Sequence, residues 1–480
     1  RQQETGTGTK LGELLASCGL EVPGAAAGVE ITGIEYDSRR VHPGMLFVAI
    51  RGFVTDGHRF VEDAAGRGAA AAIVEEATEP DLLPEIVVPD ARAALGLVAH
   101  EFHGRPSERL SVYGITGTNG KTTTTYLVDA ILRRAGRKTG VVGTLGYRIG
   151  DEIVPGDRTS PESLDLARLL ASMVEGGIDA VTMEISSHAL ALSRAAGLRL
   201  DAAALTNLSR DHLDFHGTFE EYAAAKRRLF EMLVGDAGKP GATAVINIDD
   251  AFGRDVAEMI EDASGVRLVT YGRARGDVFA REVKMSSGGT SLVLATPRGD
   301  VEARLRLIGG FNVMNALAAA AIAVSRDIPA GAIRDGLGDV TQVAGRLELI
   351  DAGQDFAVIV DYAHTPDALE KVLATVRELR PPRVLVVFGC GGDRDRGKRP
   401  IMGGIASRWA DLAVVTSDNP RSEDPSRIID EIVAGMPKAK TETVPDRREA
   451  IRRAVELAET GDAVVIAGKG HEDDQIVGGE

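Results

Sequence analysis

The sequence is poor in the residues that mark several classes of protein. Only Cys18 and Cys390 are present among 480 residues, so neither a disulfide framework nor a cysteine–histidine zinc site is expected. This scarcity fits a reducing cytoplasm. No apolar run approaches the roughly 18 residues of a membrane span, and no charged-then-apolar signal segment opens the chain. We therefore expect a cytoplasmic protein that does not enter a membrane.

The chain also has fewer basic than acidic residues. Lys and Arg number 55 against 71 Asp and Glu, which gives a net charge of −16. A general nucleic-acid binder usually has a basic face, so this class is disfavoured, although a local basic pocket for an anionic small molecule is compatible with the balance. The length is enough for about three domains.

A glycine-rich stretch, GITGTNGKTTTT at residues 114–125, is the most informative local pattern. Residues 110–113 before it predict a buried strand, and residues 122–134 after it alternate polar and apolar at helical spacing. The backbone N–H groups of such a turn suit a polyphosphate. Lys121 would add a charge on the outer phosphates, and the Thr122 hydroxyl would reach Mg²⁺. The alternative is a flexible Gly/Thr loop before a helix.

The pattern of apolar runs divides the chain into three stretches, predicted as domains 1–108, 109–342 and 343–480. The first contains apolar runs at 46–50 and 70–74, which predict a small α/β unit.

The second stretch alternates predicted strands and helices, which favours a parallel sheet. The predicted strands are 140–142, 180–183, 202–205 and 244–246. Polar residues follow three of them, where the ligands of open parallel sheets collect. A β-rich piece at 278–308 precedes an alanine-rich helix from Asn312.

The third stretch contains four apolar runs, each ending in a charged or glycine-rich loop. These runs are 356–360, 384–388, 412–415 and 463–466. They predict a second doubly wound sheet whose ligand edge is formed by the four loops.

Candidate metal ligands follow two strands of the second stretch. Glu184 closes a strand beside the phosphate loop, where a carboxylate would hold Mg²⁺; a solvent-exposed carboxylate is the alternative. A dense set of further ligand types is Asn207, Asp211, His212, Asp214 and His216. Zn²⁺ is compatible with this set, but the lack of cysteine and the phosphate loop favour a second Mg²⁺.

Motifs in one order cover nearly the whole chain: GTNGKTT, EISSHAL, TNLSRDHLDFHG with YAAAK, GGFNVMNALAAAA, GRLE, DYAHTPDAL, GCGGDRDRGKRP, DNPRSEDP and GKGHE. In these motifs the sequence resembles the Mur ligase family. The resemblance implies an α/β protein of three domains. These are a small N-terminal uridine-binding domain, a central parallel-sheet P-loop ATPase domain and a C-terminal Rossmann-like doubly wound domain. The family pattern continues into a short helical tail, whereas this sequence ends at Glu480.

The resemblance also assigns ATP and metal contacts. It implies that ATP is bound by Gly117, Thr118, Asn119, Gly120, Lys121, Thr122, Thr123, Asn312, Asn315, Arg346 and Asp361. Thr122 and Glu184 would hold one Mg²⁺, and His212 and Lys226 a second, with Lys226 as a CO₂-derived carbamate. A desolvated neutral lysine can react with CO₂ and become a carboxylate-like ligand. Apart from the resemblance, Lys226 would be interpreted as a helix-surface lysine. The implied catalytic residues are Lys121, Glu184, His212 and Lys226.

Two organic substrates are implied in the same way. UDP-N-acetylmuramoyl-L-alanyl-D-glutamate would contact Ser38, Phe53, Val54, Thr55, Thr159, Ser160, Ser186 and Arg194. The incoming amino acid would contact Arg394, Asp418, Asn419, Pro420, Arg421, Gly468 and Glu472. Arg421 could bind the distal carboxylate of meso-diaminopimelate bidentately, whereas lysine has no such carboxylate. A simple Asn-Pro turn is the alternative interpretation of the DNPR segment.

The expected activity is ATP-dependent addition of meso-diaminopimelate through an acyl phosphate, in peptidoglycan precursor synthesis. The protein would supply positioning and charge neutralisation rather than a covalent nucleophile. We expect a monomer. The alternatives are the same reaction with L-lysine, a folylpolyglutamate synthetase and a P-loop switch ATPase with a protein partner. The synthetase is disfavoured because it lacks the N-terminal uridine-binding unit and the DNPR loop.

Overall fold

The structure is a computed structural model that describes most of the chain. The described residues are 8–24, 26–52, 55–78, 82–156, 158–235, 237–286, 289–436, 440–472 and 474–478. They form two compact units. The first takes its described residues from Arg1–Gly114, Lys138–Ala202 and Glu231–Ala242, and the second from Ile115–Arg137, Ala203–Phe230 and Thr243–Glu480.

Strands and helices alternate along most of the chain, as the sequence predicts. The first part contains β1 (Thr9–Lys10), α1 (Leu11–Ser17), β2 (Glu30–Ile31), β3 (Gly33–Glu35), β4 (Met45–Val48), α2 (Val61–Gly66), β5 (Ala71–Val74), β6 (Glu85–Val87), α3 (Ala91–Phe102) and α4 (Pro106–Arg109), with short 3₁₀ helices at Ser38–Arg40 and Gly57–Phe60. The middle part contains β7 (Ser111–Thr116), α5 (Lys121–Arg134), β8 (Thr139–Gly143), β9 (Gly146–Ile149), β10 (Glu152–Val154), α6 (Ser163–Glu175), β11 (Ala180–Glu184), α7 (Ser187–Ala191), β12 (Leu200–Leu205), α8 (Leu213–His216), α9 (Phe219–Val234), β13 (Gly238–Asn247), α10 (Ala251–Glu261), β14 (Arg267–Gly272), β15 (Val278–Ser286), β16 (Gly289–Ala295), β17 (Val301–Leu305), α11 (Gly310–Ser325) and α12 (Ala330–Asp339). The last part contains β18 (Glu348–Ile350), β19 (Ala357–Asp361), α13 (Pro366–Glu378), β20 (Val384–Phe388), α14 (Lys398–Trp409), β21 (Leu412–Val415), α15 (Pro425–Val433), β22 (Lys440–Thr443), α16 (Arg447–Leu457) and β23 (Ala463–Ala467).

The first unit contains a small α/β layer near its N-terminus. Strands β3, β4, β5 and β6 form a parallel sheet in that order. Helices α1 and α3 cover one face, because their apolar sides, including Leu14 and Leu95, pack on inward residues such as Leu46. The predicted apolar run at 46–50 overlaps β4 and the run at 70–74 contains β5, which confirms the small α/β unit.

The same unit contains β8 and β11, which are parallel neighbours. Strand β9 pairs with β8 and β10 pairs with β9, both antiparallel. Because the two parallel strands end at the same edge, Gly143 and Glu184, their last residues, lie close together.

The second unit begins with the phosphate-loop helix and its neighbours. Helix α5 packs against α11 and α12. Helix α11 is almost wholly buried, because its run of alanines allows close approach of other elements. Strands β13, β14 and β15 are parallel, whereas β15, β16 and β17 are antiparallel. The β-rich piece predicted at 278–308 is therefore confirmed.

A six-stranded sheet completes the second unit, in the order β18-β19-β23-β20-β21-β22. All of its pairs are parallel except β18 with β19. Successive side chains of β20 point to opposite faces, so Phe388 enters one core and Val387 the other. Since both faces are covered, the strand is uniformly apolar. The loops after β19, β20, β21 and β23 leave from one edge, as predicted.

Two simple expectations can be compared with the structure. Cys18 and Cys390 both have free thiols. Within the described ranges, no helix is both long enough and apolar enough to cross a lipid bilayer.

Candidate active site

The phosphate loop precedes α5 and requires glycine at two positions. Gly117 has φ of 141° and Gly120 has φ of 86°, in the region that side chains rarely adopt. A Cβ at Gly117 would collide with the Thr206 hydroxyl, and one at Gly120 with the Asn315 amide oxygen. At these two positions the loop therefore has no room for a side chain.

Asn207, which follows β12, and Lys121, which begins α5, hold this loop in place. The Asn119 N–H donates to Asn207 Oδ1 at 3.0 Å, and Asn207 Nδ2 donates back to the Asn119 carbonyl at 2.9 Å. Lys121 Nζ donates to the carbonyls of Gly117 and Thr118, both at 2.9 Å. Asn207 is thus a partner of the loop rather than part of a separate metal cluster.

Lys226 lies beneath the same loop, on the buried face of α9. It is only 1% exposed, and its Nζ donates to the Gly117 carbonyl at 2.7 Å. Its Nζ also lies 4.7 Å from the ring centre of Tyr222. The interpretation as a helix-surface lysine is therefore wrong. Helical spacing alone does not reveal which tertiary element covers the face that carries the lysine.

The pKa of Lys226 is lowered well below its usual value. Burial is the main cause, and the neighbouring ammonium of Lys121 adds to it, while Asp211 opposes both. A neutral amine is the form that reacts with CO₂, so the surroundings favour the chemistry that carbamate formation needs.

The polar segment at 207–216 does not form one ligand cluster. His212 has φ of 53°, and its Nε2 lies 3.2 Å from Asp211 Oδ2. Asp214 pairs with Arg394 at 3.3 Å, and His216 is buried. Across the part of the chain that the structure describes, no three His, Cys, Asp or Glu side chains are placed to hold a metal ion. The five residues are therefore not assembled as one ligand cluster: Asp211 and His212 meet, whereas Asn207 and Asp214 have other partners.

The residues expected near adenosine adjoin the phosphate loop. Asn315 Nδ2 donates to Asn312 Oδ1 at 2.9 Å, and Asn312 Nδ2 donates to the Ile308 carbonyl at 2.8 Å. Asn315 also limits the space at Gly120, as noted above. The structure therefore brings this predicted pair to the start of α5.

Arg346 reaches the same helix from the loop before β18. Its Nη2 donates to the Thr122 hydroxyl at 3.1 Å, and its guanidinium lies 4.6 Å from the ring centre of Tyr362. Asp361, at the end of β19, accepts from the Leu347 N–H at 2.7 Å. Burial raises the pKa of Asp361 to about 6, although Arg346 opposes this rise.

One residue in this region was missed by the sequence analysis. Asp367, in the first turn of α13, accepts from Asn119 Nδ2 at 2.7 Å and from the Ser209 hydroxyl at 3.2 Å. Lys371 Nζ also donates to it at 2.8 Å. The available signal was its place in the DYAHTPDAL motif, just after the Thr-Pro pair that starts the helix.

Glu184 lies in the first unit and is almost completely buried. The Thr144 N–H donates to its Oε1 at 2.8 Å, and the Thr144 hydroxyl donates to its Oε2 at 3.0 Å. The alternative of a solvent-exposed carboxylate is therefore wrong. A carboxylate oriented by two donors is suited to accepting a further cation or donor.

Several residues expected to contact the nucleotide substrate meet near Glu184. The Ser160 hydroxyl donates to the Glu184 carbonyl at 2.9 Å and accepts from the Ser186 N–H at 3.1 Å. Arg194 Nη1 lies 3.4 Å from the Ser160 carbonyl. Burial is the largest cause of the lowered pKa of Arg194. The Thr159 hydroxyl completes the group, 3.1 Å from the hydroxyl of Thr144.

The remaining nucleotide-substrate residues are in the N-terminal layer. Ser38 is buried at the start of a 3₁₀ helix. The Thr55 carbonyl accepts from the Gly52 N–H at 2.9 Å. Phe53 and Val54 lie outside the described residues.

The residues expected at the amino-acid site come from three loops at one edge of the six-stranded sheet. Gly468 has φ of 117°, and a Cβ there would lie 2.8 Å from Asp418 Oδ2. Arg447, which the sequence analysis missed, donates to the Ala467 carbonyl at 2.8 Å and lies 3.8 Å from the same Asp418 oxygen. This buried arginine therefore compensates the charge of Asp418.

Arg421 and Arg394 both adjoin Gly391, where an added Cβ would lie 2.9 Å from Arg421 Nη1 and 3.6 Å from Arg394 Cγ. Arg421 Nη1 donates to the Gly392 carbonyl at 2.8 Å. Burial lowers the pKa of Arg421, and Arg394 lowers it further. Two guanidinium groups that disfavour each other would both gain from a bound carboxylate. The simple-turn interpretation of the DNPR segment does not account for this pairing.

Asn419 and Glu472 meet across two of these loops. Asn419 Nδ2 donates to Glu472 Oε2 at 3.3 Å, and the Tyr362 hydroxyl donates to Glu472 Oε1 at 3.0 Å. The Pro420 carbonyl lies so close to Gly392 that a side chain there would collide with it. The structure thus brings all the predicted amino-acid residues to one edge.

Comparison with known proteins identifies the family. The chain matches the models described as Mur ligase family, catalytic domain (residues 30–103), Mur ligase middle domain (115–323), and Mur ligase, glutamate ligase domain (345–470). The chain belongs to the Mur ligase family, as its motifs predicted. The bounds of the three predicted domains, at 108 and 342, stay a prediction.

Close relatives share one name. The chain is 48% identical over 456 residues to UDP-N-acetylmuramoyl-L-alanyl-D-glutamate--2,6-diaminopimelate ligase from Geobacillus kaustophilus, with 94% of this chain and 92% of the relative covered. It is 47% identical over 473 residues to the protein of the same name from Syntrophomonas wolfei, with 98% and 95% covered.

Solved structures agree with the fold. A structure of a ligase with that name matches with a TM-score of 0.71 and 34% identity, covering 99% of this chain and 96% of that one. Folylpolyglutamate synthase from Mycobacterium tuberculosis matches with a TM-score of 0.67 at 20% identity, covering 78% and 92%, which shows a shared fold alone. The predicted three-domain α/β architecture is confirmed.

Proposed function

We propose that this chain is an ATP-dependent ligase that joins meso-diaminopimelate to the D-glutamate of UDP-N-acetylmuramoyl-L-alanyl-D-glutamate. The observation that carries the proposal is the pairing of Arg421 with Arg394 beside Gly391, in a chain 48% identical to a ligase named for that reaction. Diaminopimelate has a distal carboxylate for this pair, and lysine does not.

ATP binds at the phosphate loop of the second unit. The N–H groups of residues 117–120 and the start of α5 face the phosphates, and Lys121 exchanges its carbonyl partners for phosphate oxygens. Asn312 and Asn315 contact adenosine, and Arg346 and Asp361 contact the ribose or phosphates. Thr118, Gly120 and Thr123 belong to the same ATP site.

The reaction consists of two displacements. The γ-carboxylate of D-glutamate attacks the γ-phosphorus of ATP, so ADP leaves and an acyl phosphate forms. An amine of diaminopimelate then attacks the acyl carbon, loses a proton and expels phosphate, which leaves the amide. The chain contributes orientation of the three substrates and positive charge at the phosphates, with no covalent bond to the protein.

Mg²⁺ and a lysine carbamate belong to this proposal. The donor set fits a hard cation only if Lys226 is carbamylated, because its amine is a donor to Gly117 rather than an oxygen ligand. Thr122 and Glu184 would hold one ion, and His212 and carbamylated Lys226 a second. When bound, Mg²⁺ neutralises charge on the phosphates.

The amino-acid site is formed by the loops after β20, β21 and β23. Arg394 and Arg421 bind the distal carboxylate. The other end of diaminopimelate is polar and carries an ammonium group. It is held by the backbone and side chains of residues 418–420, with Gly468 and Glu472. Asp418 and Glu472 are the carboxylates that suit an ammonium group there.

The nucleotide substrate binds through Ser38, the loop that contains Phe53, Val54 and Thr55, and the Ser160 group described above. The proposal further places the protein in the cytoplasm as a monomer engaged in peptidoglycan synthesis, and hence in cell-wall growth, cell shape and division. Elution of the purified chain at twice its mass would contradict the monomer.

The first test is phosphate release from ATP in the presence of UDP-N-acetylmuramoyl-L-alanyl-D-glutamate. Release is measured with meso-diaminopimelate, with L-lysine and with no amino acid. We expect release only with diaminopimelate. Release with lysine instead would keep the mechanism and refute the specificity. Release that is indifferent to amino acid would favour a switch ATPase with a protein partner.

A further inference from the structure

Lys469 is a buried lysine to which the proposed reaction assigns no role. It is 9% exposed and follows β23, between Gly468 with φ of 117° and Gly470 with φ of 54°. A Cβ at Gly470 would lie 2.8 Å from the Cβ of Tyr362. The two glycines allow the chain to turn sharply, and this turn directs the lysine side chain beneath the amino-acid loops.

The ammonium of Lys469 fixes the orientation of the Asn419 amide. Lys469 Nζ donates to Asn419 Oδ1 at 2.8 Å, and the Ile476 N–H donates to the same oxygen at 2.9 Å. Because an ammonium can only donate, the amide must present its oxygen to Lys469. The Nδ2 group of Asn419 is consequently directed at Glu472.

Lys469 also lies beside the carboxylate of Glu472. Its Nζ is 3.5 Å from Glu472 Oε2 and donates to the Asp474 carbonyl at 2.6 Å. One cation therefore joins the loop after β21, the loop after β23 and the segment that follows it. Removing it would take an ammonium away from the Glu472 carboxylate and would leave the Ile476 N–H as the remaining donor to the Asn419 amide oxygen.

We propose that Lys469 is a positioning residue for the incoming amino acid, acting through Asn419 and Glu472 without touching the substrate. The inference rests on the proposed ligase function. The proposal assigns Lys469 to the binding of the amino acid and not to acyl-phosphate formation. Asn419 and Glu472, which Lys469 holds, lie at the amino-acid loops and not at the phosphate loop. Loss of Lys469 should weaken amino-acid binding and leave acyl-phosphate formation intact.

The test compares the full-length wild type with Lys469→Met, which keeps length and removes charge. Lys284→Met is the matched control, because Lys284 is exposed on β15. Phosphate release is measured against meso-diaminopimelate concentration at saturating ATP and nucleotide substrate. We expect the KM for diaminopimelate to rise about tenfold in Lys469→Met, the size of one lost charged hydrogen bond, and to stay unchanged in Lys284→Met.

The acyl-phosphate step is followed separately by positional isotope exchange in ¹⁸O-labelled ATP without any amino acid. Exchange at the wild-type rate in Lys469→Met is expected. An unchanged KM, or an equal loss of exchange and amino-acid affinity, would overturn the positioning role. A wild type whose phosphate release ignores diaminopimelate would instead refute the proposed function.

A double-mutant cycle tests the route of action. If Lys469 acts through Glu472, Lys469→Met with Glu472→Gln should raise KM little more than the worse single change does. Multiplicative effects would refute the coupling. Lys469→Arg provides a second variant if Lys469→Met does not fold. It keeps the positive charge but should still raise KM, because its planar fork does not match the pocket.

Discussion

Two lysines of the second unit are hidden from solvent to a similar degree, but their surroundings differ. Lys226, at the phosphate loop, meets a carbonyl, an aromatic face and the nearby ammonium of Lys121. Lys469, at the amino-acid loops, meets an amide oxygen, a carbonyl and the carboxylate of Glu472. The surroundings of Lys226 disfavour a positive charge, whereas the oxygens around Lys469 stabilise one.

The difference shows that the partners of a buried lysine decide its chemistry. At Lys226, burial lowers the pKa and the nearby ammonium of Lys121 lowers it further, so the amine becomes available to react. Where oxygens converge, the ammonium becomes a fixed donor that orients its neighbours. The same contrast applies to the arginines and to a buried histidine, and four substitutions test it.

The largest effect is expected at Lys226. Lys226→Arg keeps a long basic side chain but cannot form a carbamate, so kcat should fall about a thousandfold, as when a preorganised electrostatic group is removed. Phosphate release measures the loss. A ¹³C-bicarbonate carbamate signal in the NMR spectrum of the wild type should vanish in the variant. Lys284→Arg is the control, and near-normal turnover by Lys226→Arg would remove the carbamate from the mechanism.

A buried arginine that is paired with carboxylates should contribute to the stability of the fold rather than to turnover. The Arg399 side chain has no solvent exposure and pairs with Glu423 at 2.7 Å and Glu431 at 2.8 Å. Arg399→Met leaves Glu423 without its arginine and Glu431 with Arg396 alone, and it should cost about 3 kcal/mol of unfolding free energy. Urea titration followed by the fluorescence of Trp409, the single tryptophan, reports on the helix that carries Arg399.

Arg452 provides the control for Arg399, because it also pairs with two glutamates but is exposed. Arg452→Met should leave the urea midpoint unchanged, since exposed ion pairs contribute little. Equal effects of the two substitutions would show that burial does not distinguish these ion pairs.

Arg421 should affect specificity more than stability. Arg421→Ala removes one guanidinium from the pair, so kcat/KM for meso-diaminopimelate should fall about thirtyfold, within the range of a charged hydrogen bond. Turnover of L-lysine should not fall. Arg427→Ala, an exposed neighbour on α15, controls for the loss of positive charge. Full diaminopimelate activity in Arg421→Ala would contradict the assigned carboxylate contact.

The smallest effect is expected at His100 on α3, where a buried group has no compensating partner. Neither of its ring nitrogens has a hydrogen-bond partner among the described residues, and burial lowers its pKa from 6.5 to about 4. Between these values the unfolded chain binds a proton that the folded chain does not, so stability falls as the pH falls. Between pH 7 and pH 5 the free energy of unfolding should fall by about 2 kcal/mol less in His100→Leu than in the wild type.

Urea titrations at the two pH values, followed by far-UV circular dichroism, measure this difference. His42→Leu, at an exposed position, should retain the wild-type pH dependence. Parallel curves for the wild type and His100→Leu would exclude His100 as a source of acid sensitivity.

Patterns that depend on neighbours in the chain were predictable. Strand β20 was placed at 384–388 because a strand buried on both faces is a continuous apolar run bounded by loops. The phosphate loop was equally clear, since its glycines are needed by the local backbone conformation at Gly117 and Gly120. In both cases the physical cause lies within a few residues of the pattern.

Patterns that depend on distant partners were not predictable. Lys226 is buried against the phosphate loop, where it donates to the carbonyl of Gly117, 109 residues away in the sequence. Asp214 was grouped with metal ligands, but Arg394, 180 residues away, is its partner. No periodicity in a helix or loop encodes a contact of that separation.

The sequence by itself determined the order of strands and helices, the phosphate loop and, through its motifs, the family. These properties arise from local backbone preference and from the spacing of apolar residues. Only the tertiary structure decided which buried cations are compensated: Lys226 is opposed by another ammonium, whereas Lys469 meets oxygens. The physical reason is that charge stabilisation depends on distance in space, and folding alone sets that distance.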